Sequence, residues 1–317
     1  MGSSVSAELP GTAPLSSSLH NSTLLSNLPV LAPGAAVHFN TSPPGSSKRV
    51  IESMGDRRRL TTLKQSGAGA AALVEALPDV TLQPLPTGQR LAEIPPKQRR
   101  SRPFRAIGRL LTRFPNSSDT YVGSATVVGG NVLLTAAHNV HEAARGGFAH
   151  TIEFQPGYDD GAGGSEAGIW MATRAIAHAA WTAHRNFQYD FALLVVHDAS
   201  GRRIADTCGR LEVAAYPSLK RDRTLLGYPV GHPYLGNEMM REDCSRGGVD
   251  DAYKSDQPMR VYCSLGKGMS GGPWLYVPAA QSQPAQVVGL TSYSREQGTL
   301  YSPWFGSVFR AFYEGQA

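Results

Sequence analysis

Short apolar runs, several of them alternating with polar residues, recur along the chain from Ala106 onward. Alternation with a period of two is typical of strands that bury one face. The run 121–128 is followed by Gly129-Gly130-Asn131 and a second apolar run, which predicts a β-hairpin. Gly- and Pro-rich turns between strands at this spacing favour an all-β barrel or sandwich. The other strands are predicted over 106–111, 132–134, 151–155, 169–177, 191–196, 224–228, 261–265, 274–277 and 287–293, with a closing helix over 310–314.

The first hundred residues differ from this pattern. Residues 1–47 are rich in Ser, Pro and Ala and almost free of charge, a composition that buries too little apolar surface to fold. Residues 48–102 are patchier, with a short helix predicted over 68–77. We expect a largely disordered, low-complexity basic leader over 1–102 and a folded domain over 103–317. The basic run 97–102 is predicted to be exposed, either as a processing site or as an uncut linker.

Charge and hydropathy exclude several functional classes. The net charge is +5, but the first 105 residues contain 12 basic and 6 acidic residues, so the excess belongs to the leader. No aromatic residue is interleaved with those charges before Phe104, which argues against nucleic-acid binding. No apolar run approaches the ~18–20 residues that span a bilayer, and no clean signal peptide is visible. Residues 1–6 fit the N-myristoylation pattern, which also arises by chance.

The stretch Gly-Met-Ser-Gly-Gly-Pro at 268–273 lies between two apolar runs. Gly, Ser and Pro suit a tight turn that leaves backbone N–H groups open. Ser270 is therefore either a turn residue or a nucleophile with donors beside it for the negative charge of acyl transfer. The stretch also satisfies the G-x-S-x-G pattern of α/β-hydrolases. That fold places its histidine after the serine, and no histidine follows Ser270 in this chain.

A serine nucleophile needs a base and an acid that orients the base. His138 ends the stretch Thr-Ala-Ala-His after an apolar strand, and imidazole exchanges protons near neutral pH. Asp190 directly precedes the apolar run 191–196, where a carboxylate needs a committed partner. His141 begins a pattern that resembles a zinc-binding helix, but its second histidine is replaced by Arg145. We therefore expect neither a metal site nor a cofactor.

The stretches Thr-Ala-Ala-His, Asp-Phe-Ala-Leu-Leu and Gly-Met-Ser-Gly-Gly-Pro occur in this order. With them, the chain from about Ile107 resembles chymotrypsin- and trypsin-like serine proteases, especially the bacterial and fungal glutamyl-endopeptidase-type branch. The resemblance implies two six-stranded β-barrels, with the active site in the cleft between them. It also implies cleavage of protein or peptide substrates through an acyl-enzyme. The implied triad is His138, Asp190 and Ser270, with an oxyanion hole from the N–H groups of Gly268 and Ser270.

Two departures from the family pattern concern the nucleophile and the base. Met269 stands where trypsin-type enzymes carry an Asp that captures a new N-terminal amine, so that switch is unavailable. Asn139 stands where a Cys usually follows the active-site His. Glutamate-specific members carry His at the position of Thr291, so a strict Glu preference is not implied. The implied substrate-binding residues are Ser264 at the pocket floor, Lys267 as either an acid-attracting or a merely exposed lysine, Thr291, Ser292 and Tyr293.

The three cysteines allow one bridge and one free thiol, which is the arrangement expected of an exported enzyme. Cys244 and Cys263 are the better candidate pair, since the residues between them could form a loop beside Ser270. The sequence thus predicts a secreted, monomeric serine endopeptidase that binds no nucleic acid. The alternative function is a catalytically silent homologue that binds peptides or proteins. A cytoplasmic or myristoylated protein is the alternative location.

Overall fold

The computed structural model describes residues 35–39, 82–83, 85–198, 200–278 and 283–315. The helix predicted over 68–77 lies outside these residues. The strands are β1 (Ala35–Phe39), β2 (Leu91–Glu93), β3 (Ile107–Arg113), β4 (Tyr121–Val127), β5 (Val132–Thr135), β6 (His141–Glu142), β7 (Gly147–Phe148), β8 (Thr151–Pro156), β9 (Trp170–His178), β10 (Ala192–His197), β11 (Glu212–Val213), β12 (Arg223–Gly227), β13 (Val230–Gly231), β14 (Tyr234–Leu235), β15 (Met240–Val249), β16 (Met259–Tyr262), β17 (Pro273–Tyr276), β18 (Gln286–Leu290) and β19 (Thr299–Ser302). The helices are α1 (Pro96–Arg99), α2 (Ala179–His184), α3 (Ile204–Cys208) and α4 (Ser307–Glu314).

Six strands close into a barrel in the first half of the fold. The sheet order is β9-β10-β5-β4-β3-β8, and β8 pairs back onto β9 to complete the ring. All six strands were predicted from their short apolar or alternating runs, to within a few residues at each end. The strand β1 pairs with β9 outside this ring, with Ala35 opposite His178. The predicted all-β architecture is thereby confirmed for the first half of the fold.

The second half is an open sheet that curves into a half-barrel, in the order β11-β18-β17-β12-β15-β16-β19. The sequence pattern does not predict β15, because Met240–Val249 mixes charges and glycines without alternation. Three neighbours hold it instead. Its first residues pair with β12 and β2, and its last residues pair with β16 after an irregularity between Arg246 and Gly248. Hydrogen bonding by its neighbours thus overrides its weak local preference.

Two apolar clusters fill the fold. The larger one includes Leu110, Phe154 and Trp170 of the first barrel, all fully buried. The smaller one lies in the second sheet around Leu225 and Trp274. The predicted closing helix is α4, which begins earlier than expected and packs two phenylalanines against Phe191. In the part of the chain that the structure describes, no helix is long and apolar enough to cross a membrane.

Residues just before the first barrel pack onto the fold. The side chains of Leu82 and Ile94 belong to the larger apolar cluster, and β2 extends the second sheet. Arg99 is 2% exposed and donates to the carbonyls of Ile94 and Tyr158. The expectation of a uniformly exposed basic run over 97–102 is therefore wrong at Arg99, whose charge is enclosed by acceptors. The division at 102/103 stays a prediction.

Candidate active site

Strand pairing brings His138 and Asp190 to the same end of the first barrel. His138 lies in a 3-10 turn, Ala137–Asn139, just after β5. Asp190 ends another such turn, just before β10. The two strands are antiparallel neighbours with Thr135 opposite Ala192, so the end of one meets the start of the other. Two residues far apart in sequence thus become adjacent.

The Asp190 carboxylate contacts His138 twice. One oxygen accepts the backbone N–H of His138 at 2.8 Å, and the other lies 2.7 Å from Nδ1 of its ring. The hydroxyl of Ser292 donates to the second oxygen. Asp190 is fully buried, whereas the His138 side chain is 24% exposed. A carboxylate in this position favours the imidazole tautomer with hydrogen on Nδ1, which leaves Nε2 able to accept a proton.

Ser270 lies in a loop between β16 and β17 that needs glycine at two positions. Gly268 and Gly271 have φ angles of +81° and +80°, a left-handed backbone region that other residues rarely adopt. A Cβ at Gly268 would lie 2.3 Å from the carbonyl oxygen of Tyr228. Met269 between them is fully buried in the smaller apolar cluster. Its thioether thus anchors the loop where trypsin-type enzymes use a charge.

The N–H groups of Gly268 and Ser270 are oriented by the peptide units to which they belong. The carbonyl of Lys267 accepts from Val230 at 2.8 Å, and that of Met269 accepts from Gly272 at 2.7 Å. In a planar trans peptide the N–H points opposite to the carbonyl, so these two bonds also fix both N–H groups. Over the described residues, neither N–H has a protein acceptor. Both are available to a ligand.

Two residues of the first barrel hold the carbonyl of Ser270. The backbone N–H of Ser124 donates to it at 2.8 Å, and the side-chain amide of Asn139 donates at 2.9 Å. Asn139 directly follows His138 in the chain. The structure therefore ties the Ser270 loop to the segment that carries His138. Sequence reasoning missed both Ser124 and the contact made by Asn139.

Ser264 rests on a buried carboxylate that sequence reasoning also missed. Glu242, which is 5% exposed, accepts the N–H and the hydroxyl of Ser264, each at 2.7 Å. The N–H of Leu265 donates to its second oxygen at 2.9 Å. Glu242 belongs to the unpredicted strand β15, so no local pattern pointed to it. These three bonds fix the start of the loop that continues to Ser270.

Of the remaining predicted substrate-binding residues, Lys267 lies in that loop, and Thr291 and Tyr293 follow β18. The side chain of Lys267 is exposed, and the hydroxyl of Thr291 accepts from the Trp274 indole at 3.0 Å. Tyr293 stacks on Tyr301 with ring centroids 4.8 Å apart, and its hydroxyl donates to Asp250 at 2.5 Å. Thr291 is thus committed to the interior, while Lys267 faces solvent.

The Asp250 carboxylate has a lowered pKa. Burial by itself raises the pKa of this group, but hydrogen bonds from Tyr293, Arg295 and the backbone of Ala252 outweigh that effect. Burial and the bond to Asp250 raise the pKa of Tyr293 well above its ordinary value. Asp250 therefore stays charged and Tyr293 stays neutral near pH 7.

Cys244 and Cys263 form a disulfide with their Cα atoms 5.3 Å apart. Together with Glu242 they are the one group of potential metal ligands found among the described residues. Thiols joined in a disulfide bind no metal as thiolates, so this group does not fit a metal centre. Cys208 is unpaired and buried, and burial raises its thiol pKa to about 12. A thiol protonated at neutral pH is a poor nucleophile.

Solved structures with a similar fold are proteases. A thermostable serine protease, AL20, from an extremophilic microorganism is 24% identical with a TM-score of 0.57, and the match covers 67% of this chain and 97% of that one. A Glu endopeptidase is 20% identical with a TM-score of 0.55, and the match covers 72% of this chain and 96% of that one. At these identities the likeness is one of fold.

A curated relative matches over a shorter stretch. The extracellular metalloprotease of Bacillus subtilis (strain 168) is 28% identical over 102 residues. This match covers 32% of the present chain and 32% of that protein. The likeness is therefore partial, because the aligned stretch spans about a third of each protein.

A family comparison covers the core of the site. Residues 123–278 match the sequence model of the trypsin-like peptidase domain. The matched range contains His138, Asp190 and Ser270, and it lies within the barrel and half-barrel described above. The fold shared with the solved structures is consistent with this match. The chain therefore carries a domain of the trypsin-like peptidase family.

Proposed function

We propose that this protein is a serine endopeptidase that acts through an acyl-enzyme, with His138, Asp190 and Ser270 as its catalytic residues. One observation carries the proposal. The fully buried Asp190 carboxylate contacts the backbone N–H and the ring Nδ1 of His138, and it accepts a third hydrogen bond from the Ser292 hydroxyl. Burying a carboxylate costs free energy of desolvation, and the fold gains nothing evident from it here. A general base does gain, because the carboxylate holds its imidazole in one orientation and one tautomer.

In this mechanism His138 accepts the Ser270 hydroxyl proton at Nε2 while Ser270 Oγ forms a bond to the scissile carbonyl carbon. The imidazolium then returns that proton to the leaving amine as the C–N bond breaks, which leaves an ester on Ser270. Water attacks the ester by the same route, releases the new carboxyl group and restores the serine. Asp190 orients the ring throughout and stabilises the imidazolium.

The N–H groups of Gly268 and Ser270 stabilise the oxyanion of the tetrahedral intermediates. Their directions are set before substrate arrives by the bonds to the Lys267 and Met269 carbonyls. Hydrogen-bond donors that are already oriented before the reaction stabilise the transition state without a cost of reorganisation. The buried Met269 supports this arrangement without an N-terminal amine.

The substrates are proteins or peptides, bound along Ser292 and Tyr293 with a side chain entering the space beside Ser264. The exposed Lys267 lies three positions after Ser264 and would attract an acidic side chain. We further propose that the enzyme acts outside the cell, on the strength of the disulfide and of the partial likeness to an extracellular protease.

The test uses purified full-length protein and a fluorophosphonate probe, with casein and a mixed peptide library as substrates. The wild-type protein should be labelled and should cleave both substrates, whereas Ser270→Ala should lose labelling and cleavage. Ser294→Ala, which removes an exposed hydroxyl that donates to the Glu296 carbonyl, is the matched serine control and should behave as wild type.

Three outcomes would overturn the proposal. The first is a wild-type protein that binds peptides without cleaving them or reacting with the probe, as a silent homologue would. The second is full cleavage by Ser270→Ala. The third is cleavage that a metal chelator abolishes while the fluorophosphonate has no effect, which would indicate metalloprotease chemistry.

A further inference from the structure

A buried polar cluster of Ser124, Thr135 and Asn139 lies beneath the Ser270 loop. The three side chains are 0%, 0% and 8% exposed. The Asn139 amide donates to the Thr135 hydroxyl at 3.0 Å, and that hydroxyl donates to the Ser124 carbonyl at 2.8 Å. All three residues belong to the first barrel or to the turn after it. The cluster is therefore a fixed platform next to His138.

This platform binds the loop through its carbonyls. The Ser124 hydroxyl donates to the carbonyl of Gly268 at 2.9 Å and accepts the N–H of Tyr228 at 3.0 Å. The Ser124 N–H and the Asn139 amide both donate to the carbonyl of Ser270. The Lys267 and Met269 carbonyls are held by residues of the second half. Four consecutive carbonyls, 267–270, thus alternate between supports from the two halves of the fold.

Glycines allow the platform and the loop to approach this closely. A Cβ at Gly271 would lie 2.1 Å from the Thr135 hydroxyl oxygen and 2.3 Å from the Ser124 carbonyl oxygen. A Cβ at Gly123 would lie 2.7 Å from the Asn139 amide nitrogen. Both gaps are too small for any side chain, so the sequence keeps glycine on each side of the platform. The close packing of the platform against the Ser270 loop thus depends on these two glycines.

From these contacts we infer that Asn139 and Ser124 are positioning residues that hold the nucleophile loop in its reactive form relative to His138. Asn139 joins the base and the nucleophile directly, because it follows one in the chain and hydrogen-bonds the backbone of the other. The platform does this with neutral groups built into the first barrel, so the loop needs no new chain terminus to order it. The inference rests on the proposed function in taking Ser270 as the nucleophile.

The decisive variant is Asn139→Asp, which keeps the shape of the side chain but replaces the donating amide with a carboxylate facing the Ser270 carbonyl. We expect kcat to fall about 10- to 100-fold with KM changed less than threefold, since a small misplacement of a reacting group costs on this order. Ser124→Ala should likewise lower kcat with little change in KM. It replaces Asn139→Asp in the test if that variant does not fold. The matched control is Asn131→Ala, between β4 and β5, which removes a side-chain carbonyl that accepts the N–H of Ile204 at the start of α3.

A second measurement needs no turnover. In the Ser270→Ala background, adding Asn139→Asp should speed hydrogen exchange of the backbone amides in 266–273, whereas adding Asn131→Ala should not. This result would support the platform even if the wild-type protein cleaved nothing, in which case the proposed function alone would fail. An active wild type with Asn139→Asp and Ser124→Ala within twofold of the control in kcat, or unchanged exchange in this loop, would overturn the inference.

Discussion

Arg99 and Tyr158 are joined by a hydrogen bond of 3.1 Å between a buried guanidinium and a backbone carbonyl. Arg99 precedes the first barrel in the chain, and Tyr158 follows the barrel strand β8. The Tyr228 hydroxyl, from the second half, donates to the same carbonyl at 3.2 Å. The Tyr158 carbonyl thus accepts hydrogen bonds from both the N-terminal segment and the second half of the fold.

We expect Arg99→Ala to lower the free energy of unfolding by about 3 kcal/mol, since it leaves the Ile94 carbonyl without its side-chain donor and removes one of the two donors to the Tyr158 carbonyl. Urea denaturation measures this change. Arg100→Ala is the control, because its side chain is 44% exposed in an ion pair with Glu166 and should change stability by less than about 1 kcal/mol. Equal effects of the two variants would contradict the prediction.

Truncation tests the same contacts on a larger scale. A protein that begins at Leu82 loses β1, which pairs with β9 outside the closed ring, but keeps β2, Ile94 and Arg99. It should melt within a few degrees of the full chain. A protein that begins at Pro103 loses all three and should melt markedly lower or fail to fold, because it uncovers apolar surface and unpaired carbonyls. Thermal melts of both proteins decide it, and similar melting temperatures would count against a structural role for 82–102.

Replacing Asp190 with Asn should lower kcat by about 10⁴-fold, because the amide stabilises the wrong tautomer of His138. Ser292→Ala removes one of the bonds to the carboxylate and should cost about 10-fold, in line with a hydrogen bond to a charged group. Initial rates with a peptide substrate measure both, and circular dichroism checks the fold. Near-native activity of Asp190→Asn would mean that another acid orients the base.

Met269 offers a test of how the nucleophile loop is supported. Met269→Leu conserves volume and should cost less than about 1.5 kcal/mol of stability, with active-site titration unchanged. Met269→Asp buries a carboxylate in an apolar cluster and should cost about 3 kcal/mol or more while reducing the titratable fraction. If Met269→Asp were as stable and as active as Met269→Leu, the apolar anchor would be refuted.

Glu242 should govern substrate binding more than turnover. In Glu242→Gln one of the donors from Ser264 or Leu265 loses its acceptor, which loosens the start of the loop beside the proposed pocket. We expect KM for the best peptide to rise about 10-fold, which corresponds to one hydrogen bond of this kind. Glu153→Gln, which breaks an ion pair with Arg113 on the first barrel, should leave KM unchanged. Equal KM values for the two variants would argue against this role.

Stability should decline on the acid side because of His178. Burial lowers the pKa of this imidazole below its ordinary value of 6.5. Below pH 6.5 the unfolded chain therefore takes up a proton that the folded ring resists, so stability is complete above that value and is lost as the pH falls through it. The neutral ring matters locally, since its Nδ1 accepts from Ala180 at the start of α2.

Urea denaturation at pH 8 and pH 5 measures the effect. His178→Gln should flatten the difference between the two pH values, whereas His197→Gln, at an exposed position, should leave it unchanged. Part of the slope should remain in His178→Gln, because burial also lowers the pKa of His141. An unaltered slope in His178→Gln would contradict the assignment.

The strands of the first barrel were predictable because each is a short run that is either apolar throughout or alternates apolar with polar residues, bounded by turn residues. The strand β15 was not, because it is defined by its pairing with β12, β16 and β2. The strands β1 and β2, in a segment expected to be disordered, were not predicted for the same reason, since pairing with β9 and β15 defines them. Short strands that complete the edge of a sheet owe their conformation to the neighbour that they pair with.

By itself the sequence determined the barrel strands and singled out His138, Asp190 and Ser270 as candidate catalytic residues, because local periodicity and residue type carry that information. Only the tertiary structure decided that Ser124, Asn139 and Glu242 support the Ser270 loop. These contacts join residues more than twenty positions apart, such as Ser124 and Gly268, which are 144 positions apart. Such hydrogen bonds depend on how the two halves of the fold pack together, and no local pattern of apolar and polar residues records that packing.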